Sequence, residues 1–315
     1  MSITAFVFPG QGSQTVGMLR ELGGRYPLIV DLFSSVSSRL GYDVWELVQH
    51  GPESTLNQTE HTQVAMLVAD VAVYEVLHQQ NAVQPLMMAG HSLGEYAALV
   101  AAGSLNLLDA AALVAKRGQL MQETVPFGMG AMAAIVGLTD EDVQSLCVEV
   151  STATELVTPA NYNAIGQVVI AGHTAAVEKA MKRADDMGAR MAINIPVSVP
   201  CHCPLLREAA EEFADSLQGT AFKVPTLPVI SNVDLSIYQS VEHIRTLLKE
   251  QLYSPVRWVE TIQLMKSKGV ESIVECGPGK VLSGLIKRID KSLHTISVND
   301  EVSLDAALIK LSSTS

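Results

Sequence analysis

Gly90-His91-Ser92-Leu93-Gly94 carries the Gly-x-Ser-x-Gly pattern of a nucleophile elbow, and its flanks suggest the fold around it. An apolar run, Leu86-Met87-Met88-Ala89, leads in like a buried strand. Glu95-Tyr96-Ala97-Ala98-Leu99-Val100-Ala101-Ala102 leads out like a helix. A serine at such a strand–turn–helix corner is forced into a tight backbone and projects its hydroxyl from the sheet. Glycines on either side leave room for the turn and for a substrate close to the backbone. The helix aims its N-terminal amides at the place where an oxyanion forms. The alternative is a Gly-Ser turn that only joins two elements; a strand before it and a helix after it, in the elbow's own order, weigh against that reading.

Working outward, strand-like and helix-like segments alternate, which predicts an α/β fold with a largely parallel sheet. Strands are expected at 3–8, 86–89, 228–231, 272–276 and 295–298, and helices at 62–79, 109–123, 204–217, 256–268 and 282–289. One section breaks the rhythm. After the glycine-rich joint Phe127-Gly128-Met129-Gly130 come a strand at 131–136, a helix opened by Thr139-Asp140-Glu141-Asp142, and strands near 156–160 and 167–171. A helix at 174–187 and a strand at 190–195 close it. That is the βαββαβ order of a ferredoxin-like unit. The expected organisation is a hydrolase-like core, 1–126 with 197–315, carrying a ferredoxin-like subdomain at 127–196. The tail from Ser312 to Ser315 is expected to fray.

The chain has 315 residues, 48% hydrophobic and 17% charged, with a net charge of −12. That is an enzyme-like globular composition and argues against binding nucleic acid or an anionic membrane. No apolar run is long enough to cross a bilayer, and no secretory signal is evident at the N-terminus. Cys147, Cys201, Cys203 and Cys276 are too scattered for a disulfide framework, which points to the cytoplasm. Against the acidic background, six bases between Lys266 and Lys291 face three acids. This stretch is either a solvated helix face or a landing patch for an acidic partner.

A serine hydroxyl needs a base. His91 adjoins the serine, but neighbouring side chains at a tight turn point apart. His202 lies in the proline-fixed loop Pro196-Val197-Ser198-Val199-Pro200-Cys201-His202-Cys203-Pro204, at the return from the small subdomain, which suits a positioned base. Cys201-His202-Cys203 lacks the spacing and second ligand cluster of a zinc site, so no metal is expected. No carboxylate between Ser92 and His202 sits in a convincing post-strand loop, so a neutral acceptor such as a backbone carbonyl is expected to orient the histidine. Gly10-Gln11-Gly12 fails the dinucleotide pattern at Thr15 and is better suited to donating amides to an oxyanion. Gly277-Pro278-Gly279-Lys280 likewise fails the phosphate-loop pattern at Val274 and Val281. Arg117, on a strongly apolar helix, is either a solvated face residue or a buried clamp for a carboxylate.

Taken together, these segments resemble the bacterial malonyl-CoA:acyl carrier protein transacylases of fatty-acid synthesis. The marks run nearly end to end: Phe8-Pro9-Gly10-Gln11-Gly12-Ser13-Gln14, Thr59-Glu60-His61-Thr62-Gln63, the elbow with Glu95, and Lys116-Arg117-Gly118. Ala160-Asn161-Tyr162-Asn163, Gly166 to Gly172, Val197 to His202, and Asn232-Val233-Asp234 follow. Gln251-Leu252-Tyr253-Ser254-Pro255-Val256-Arg257-Trp258 and Glu275-Cys276-Gly277-Pro278-Gly279-Lys280-Val281-Leu282 complete the set. Cys201 stands where the family often has serine, and Ser231 where asparagine is common.

The resemblance implies that Ser92 is the nucleophile and His202 the base, oriented by the backbone carbonyl of Gln251. It implies an oxyanion hole from the amides of Gln11 and Leu93, and a malonyl carboxylate held by Arg117 with Gln63 close by. Malonyl-CoA and the carrier's phosphopantetheine are then substrates, and no cofactor is expected. The expected partner is an acyl carrier protein docked through Lys280, Lys287, Arg288 and Lys291, with the enzyme itself a monomer. Two competing readings stay open: a serine thioesterase or esterase using the same elbow, and a non-catalytic carrier-docking protein.

Overall fold

Every residue of β1 (Thr4–Phe8) is buried, which makes it the natural centre of a sheet covered on both faces. The computed structural model describes residues 3–80, 83–126, 128–197 and 199–312. After β1 the chain forms α1 (Arg20–Arg25), α2 (Pro27–Leu40), α3 (Val44–His50), α4 (Glu53–Leu56) and the long α5 (Thr59–Gln79). Then come β2 (Met87–Gly90), α6 (Gly94–Ala101) and α7 (Leu107–Thr124). The insert supplies β3 (Gly130–Val136), α8 (Asp140–Val150), β4 (Val157–Ala164), β5 (Gln167–His173), α9 (Thr174–Asp186) and β6 (Met191–Ile195). The return to the core builds α10 (Arg207–Gly219), α11 (Val241–Gln251), α12 (Trp258–Ser267), β7 (Ser272–Cys276), α13 (Val281–Ile289), β8 (His294–Val298) and α14 (Glu301–Ser312).

The core sheet has the order β2-β1-β7-β8, all parallel. The insert has an antiparallel sheet in the order β4-β5-β3-β6, with α8 and α9 packed on it. This is the ferredoxin-like arrangement expected from the element order. A reciprocal capping box starts α8: Thr139 accepts from the Asp142 amide while Asp142 accepts from Thr139. Short backbone bonds tie the insert to the core, from Tyr162 N–H to Val256 O at 2.9 Å and from Val256 N–H to Ala160 O at 2.8 Å.

Three features depart from the sequence reading. The expected strand at 228–231 makes only isolated bridges, Met88 with Val229 and Ile230 with Ile237. Pro228 has no N–H to donate, and the chain turns back at once, Ser231 N–H bonding Ser236 O at 2.9 Å. The helix expected from 256 begins at Trp258, because Val256 is committed to pairing with Asn161. The one expected from 204 opens as a short 3-10 turn, Pro204–Leu206, before α10. The expected joint residue Phe127, the loop residue Ser198 and the tail residues Ser313 to Ser315 lie outside the described residues. No helix among the described residues is long and apolar enough to cross a membrane.

Two close approaches position the site. A Cβ on Gly90 would fall 1.8 Å from the Gly94 carbonyl carbon, and one on Gly94 would fall 2.1 Å from Phe8 O. The elbow therefore folds against β1 only because both positions are glycine. On α7, a Cβ on Gly118 would fall 2.6 Å from the Glu60 Cα, so α5 and α7 meet backbone to backbone there. That contact brings Arg117 beside Gln63.

One core residue works against the fold. Asp70, on α5, is fully buried, and neither carboxylate oxygen has a hydrogen-bond partner among the described residues. Burial, and secondarily the nearby Glu275, hold its pKa well above the ordinary carboxylate value. Folding thus takes up a proton at Asp70, and the cost grows as pH rises above the unfolded carboxylate's pKa. Asp70→Ala is expected to stabilise the protein near pH 8 by about 1–3 kcal/mol, with a smaller gain at pH 4. Thermal unfolding across that range checks it; an equal gain at both pH values refutes it.

Candidate active site

Ser92 sits at φ 53°, a left-handed conformation that costs a serine about 1–2 kcal/mol. The surrounding bonds hold it there. His91 N–H donates to Phe8 O at 3.0 Å, tying the elbow to the carboxyl end of β1. The Ser92 amide donates to Asn232 Oδ1 at 2.7 Å, while Asn232 Nδ2 donates to Gly90 O at 2.7 Å. One buried amide side chain therefore bridges both sides of the turn.

His202 is also left-handed, at φ 59°. Its amide donates to Leu252 O at 3.1 Å. Its ring joins the Ser92 hydroxyl to the end of α11: Nε2 lies 2.7 Å from Ser92 Oγ, and Nδ1 lies 2.7 Å from the Gln251 carbonyl oxygen. A carbonyl can only accept, so Nδ1 carries the hydrogen and Nε2 offers its lone pair to the serine. Burial, with the Arg117 charge nearby, pushes the His202 pKa down to about 3. The imidazole is therefore neutral at physiological pH, as a general base must be.

Arg117 is 1% exposed, too deep for a solvated face residue. Nη1 donates to Gln63 Oε1 at 2.9 Å, and Nη2 donates to Gln251 Oε1 at 2.9 Å and to Ser92 Oγ at 3.4 Å. The guanidinium also lies 5.6 Å from the Tyr96 ring centroid. Its hydrogen-bond partners are neutral, so this buried cation has no carboxylate bound directly to it.

A cavity of about 170 Å³ opens above these groups, lined by Ser92, His202, Arg117, Gln11 and Leu93. Met132, Val169 and Ile195 wall it from the insert, and Leu285 from α13. The site thus spans the seam between the two sheets. All seven residues singled out from the sequence are brought here, Gln63 through its bond to Arg117. Among the described residues no cluster of His, Cys, Asp and Glu could hold a metal ion, and the cysteines are free.

The proposed basic patch does not form one face. Lys280 is exposed beside the mouth, at the start of α13, and Arg288 turns to Gln167 on β5. Lys287 and Lys291 line a separate groove of about 760 Å³ with Thr4, Ser272 and His294, at the opposite ends of the core strands. The helical rotation of α13 divides the run.

Sequence reasoning missed three contributors. Asn232 has no chemical signature, only a place in a quoted motif. Glu95 reads as an ordinary acidic residue in a helix's first turn. His91, discounted as a base, donates from Nε2 to Asn163 Oδ1 at 2.7 Å and packs against Trp258, pinning the elbow to the insert.

A serine in contact with a neutral histidine at the carboxyl end of a parallel sheet is equipped to form an acyl ester, and a buried guanidinium stands beside it. Fold and site together define a serine acyltransferase on an α/β scaffold. The chain belongs to the acyl transferase domain family, whose model matches residues 5–304, and within it to the malonyl CoA-acyl carrier protein transacylases. It is 49% identical to the malonyl CoA-acyl carrier protein transacylase of Escherichia coli (strain K12) over 98% of this chain and 99% of that one. It is 42% identical to that of Bacillus subtilis (strain 168), over 98% and 97%. Among solved structures, the Coxiella burnetii malonyl CoA-acyl carrier protein transacylase matches with a TM-score of 0.97 at 47% identity, covering 98% of each chain. A malonyl-transacylase solved in complex with a type II PKS acyl-carrier protein matches at 0.96 and 48% identity, covering 98% of this chain and 100% of that one.

Two outcomes follow from the geometry. Histidine-ring NMR should show no titration of His202 between pH 5 and 9, and a midpoint near 6.5 would contradict the buried neutral base. Asn232→Ala should slow acylation of Ser92 roughly a hundredfold, because a loosened elbow misplaces the nucleophile. Rapid-mixing mass spectrometry of the acyl-enzyme reads that rate.

Proposed function

We propose that the protein moves a malonyl group from malonyl-CoA to the phosphopantetheine thiol of an acyl carrier protein, through a malonyl ester on Ser92. The observation that carries this reading is Arg117, buried and 3.4 Å from the Ser92 hydroxyl. A carboxylate is the natural complement of such a guanidinium. Malonyl has a carboxylate at the right end of a short chain; acetyl does not.

In the first half-reaction His202 Nε2 takes the Ser92 proton as the oxygen attacks the thioester carbon. The amides of Gln11 and Leu93 hold the resulting oxyanion. Collapse breaks the carbon–sulfur bond, and the proton on His202 leaves with CoA as its thiol. In the second half the carrier's thiol gives its proton to His202, attacks the serine ester, and departs as the malonyl thioester, with the proton returned to Ser92.

The partner of His202 separates transfer from hydrolysis. A carboxylate would stabilise the imidazolium and strengthen the base. The Gln251 carbonyl does so less, and of the two acceptors that compete for the serine ester, a thiol near pKa ~8.5 gives its proton to such a base far more readily than water near ~15.7. This favours an enzyme that keeps its ester until a thiol arrives, over a thioesterase. Intact Ser92 and His202 in bonding contact speak against a purely docking role.

For carrier docking, Lys280 and Arg288 lie on the mouth side of α13 and the insert, so we assign the acidic carrier to them and release Lys287 and Lys291.

Incubation with malonyl-CoA should add one malonyl group to the wild type and none to Ser92→Ala; rapid hydrolysis without transfer to a carrier thiol would end this reading. Arg117→Ala should lower kcat/KM for malonyl-CoA by roughly two orders of magnitude while leaving acetyl-CoA little changed. Equal losses would remove the clamp. Arg288→Glu should raise the carrier KM and spare the CoA-side kinetics, with Lys291→Glu as the silent control.

A further inference from the structure

Behind the reacting groups lies a buried carboxylate that the mechanism above does not use. Glu95, in the first turn of α6, is three residues from Ser92 and 1% exposed. Its Oε1 accepts from Tyr238 Oη at 2.6 Å and from the Asn232 amide at 3.3 Å. Its Oε2 accepts from Gln251 Nε2 at 2.5 Å and from the same Asn232 amide at 3.4 Å. Each of these partners except Tyr238 also touches the catalytic groups. Asn232 clamps the elbow, and Gln251 holds both His202 and Arg117.

The hydrogen inventory of Gln251 shows what Glu95 contributes. An amide side chain has one accepting oxygen and one donating nitrogen, and either can face a given neighbour after a flip. Here Nε2 uses its two hydrogens on Glu95 Oε2 and on Ser92 O at 3.0 Å. Oε1 is thereby turned to Arg117 Nη2. The Ser92 carbonyl and the guanidinium favour this same orientation; Glu95, the charged acceptor on Nε2, adds the stronger hold against the flipped amide, which would aim hydrogens at the guanidinium.

We propose that Glu95 is a positioning residue for acyl transfer: as a carboxylate it locks the Gln251 amide with its oxygen toward Arg117, and so fixes the guanidinium for the acyl group's carboxylate. It acts as the counter-charge of Arg117 at one remove. The inference rests on the reading of Arg117 as the carboxylate holder.

The lock depends on pH. Burial raises the Glu95 pKa to about 7, against the lowering effect of Tyr238, Gln251, the Asn232 amide and the Arg117 charge. The ionisable groups around it are Arg117 from α7, Tyr238 from the loop before α11, Tyr96 on its own helix, and His202 across Gln251. Burial raises the pKa of both tyrosines, so they stay neutral, and His202 is held neutral down to about pH 3. Glu95 is thus the group among them that changes charge near pH 7. Below that pH it gains a hydrogen and the lock loosens; above it the carboxylate is intact.

The test compares the pH dependence of kcat/KM for malonyl-CoA and acetyl-CoA in the wild type, Glu95→Gln and Tyr238→Phe. The wild type should lose malonyl transfer as pH falls through about 7, with little change for acetyl. Glu95→Gln should abolish that acid limb and sit roughly tenfold or more below the wild type at pH 8 for malonyl. Tyr238→Phe removes a donor that favours the carboxylate, so it should move the limb to higher pH while preserving the fold. Glu95→Gln with the wild-type limb and selectivity overturns the proposal. If Glu95→Gln does not fold, an unmoved limb in Tyr238→Phe overturns it instead. Failure of the Arg117 reading looks different: Arg117→Ala would lose both substrates equally, and the wild-type acid limb would appear with acetyl as well.

Discussion

The hydrogen bond from His202 Nδ1 to the Gln251 carbonyl is the contact on which the site turns. A buried imidazole with no fixed partner could hold either tautomer, and one of the two presents a hydrogen where the serine needs a lone pair. The carbonyl settles the question without adding a charge. It also fixes where α11 must end, because the same residue's side chain reaches Arg117, Glu95 and the Ser92 carbonyl. His202, Arg117 and the elbow are thus registered to one residue, whose bonds add to those from Phe8, Asn232 and Leu252 around the left-handed backbones at Ser92 and His202.

The second constraint is the seam between the two sheets. The core provides Ser92, His202 and Arg117; the insert provides an apolar wall of Met132, Val169 and Ile195. The two halves could not drift apart without opening that wall. The ties are polar and specific: Val256 with Ala160 and Tyr162, His91 with Asn163, and Arg288 with Gln167. A residue dismissed as a base therefore has a structural task, since His91 pins the strained turn to the wall that faces it. Burial lowers its pKa, which keeps that link in the neutral form.

Much of this was legible in the sequence because it rests on local backbone rules. The elbow glycines, the Thr139 capping box and the βαββαβ rhythm are imposed by sterics and periodicity over a few residues. The missing triad acid pointed to a neutral acceptor, and the Gln251 carbonyl lies 2.7 Å from His202 Nδ1. Illegible were the parts decided by long-range partners. The helices between 20 and 56 and α11 were not among the expected elements, and the resemblance that named the Gln251 carbonyl gave no sign that its side chain reaches Arg117 and Glu95. Asn232 acts through the two ends of its amide on residues about 140 positions earlier. Glu95 looks like a solvated acid until Tyr238 and Gln251 close over it. The segment at 228–231 has strand composition but turns too soon. The basic run from Lys280 to Lys291 is continuous in sequence and divided in space, because a helix sends residues at different phases to different neighbours.

The small cavity has a consequence of its own. The cavity of about 170 Å³ lies against a single Ser92 hydroxyl, to which both thiol arms must bring their ends. Donor and acceptor must therefore occupy the same space in turn. On the proposed route the order of events follows from that shared space: CoA has to vacate before the carrier's arm arrives, and the acyl group is left on the protein in the interval. The serine ester is then the form in which the cargo waits, and shared space, as much as chemistry, makes the protein a relay.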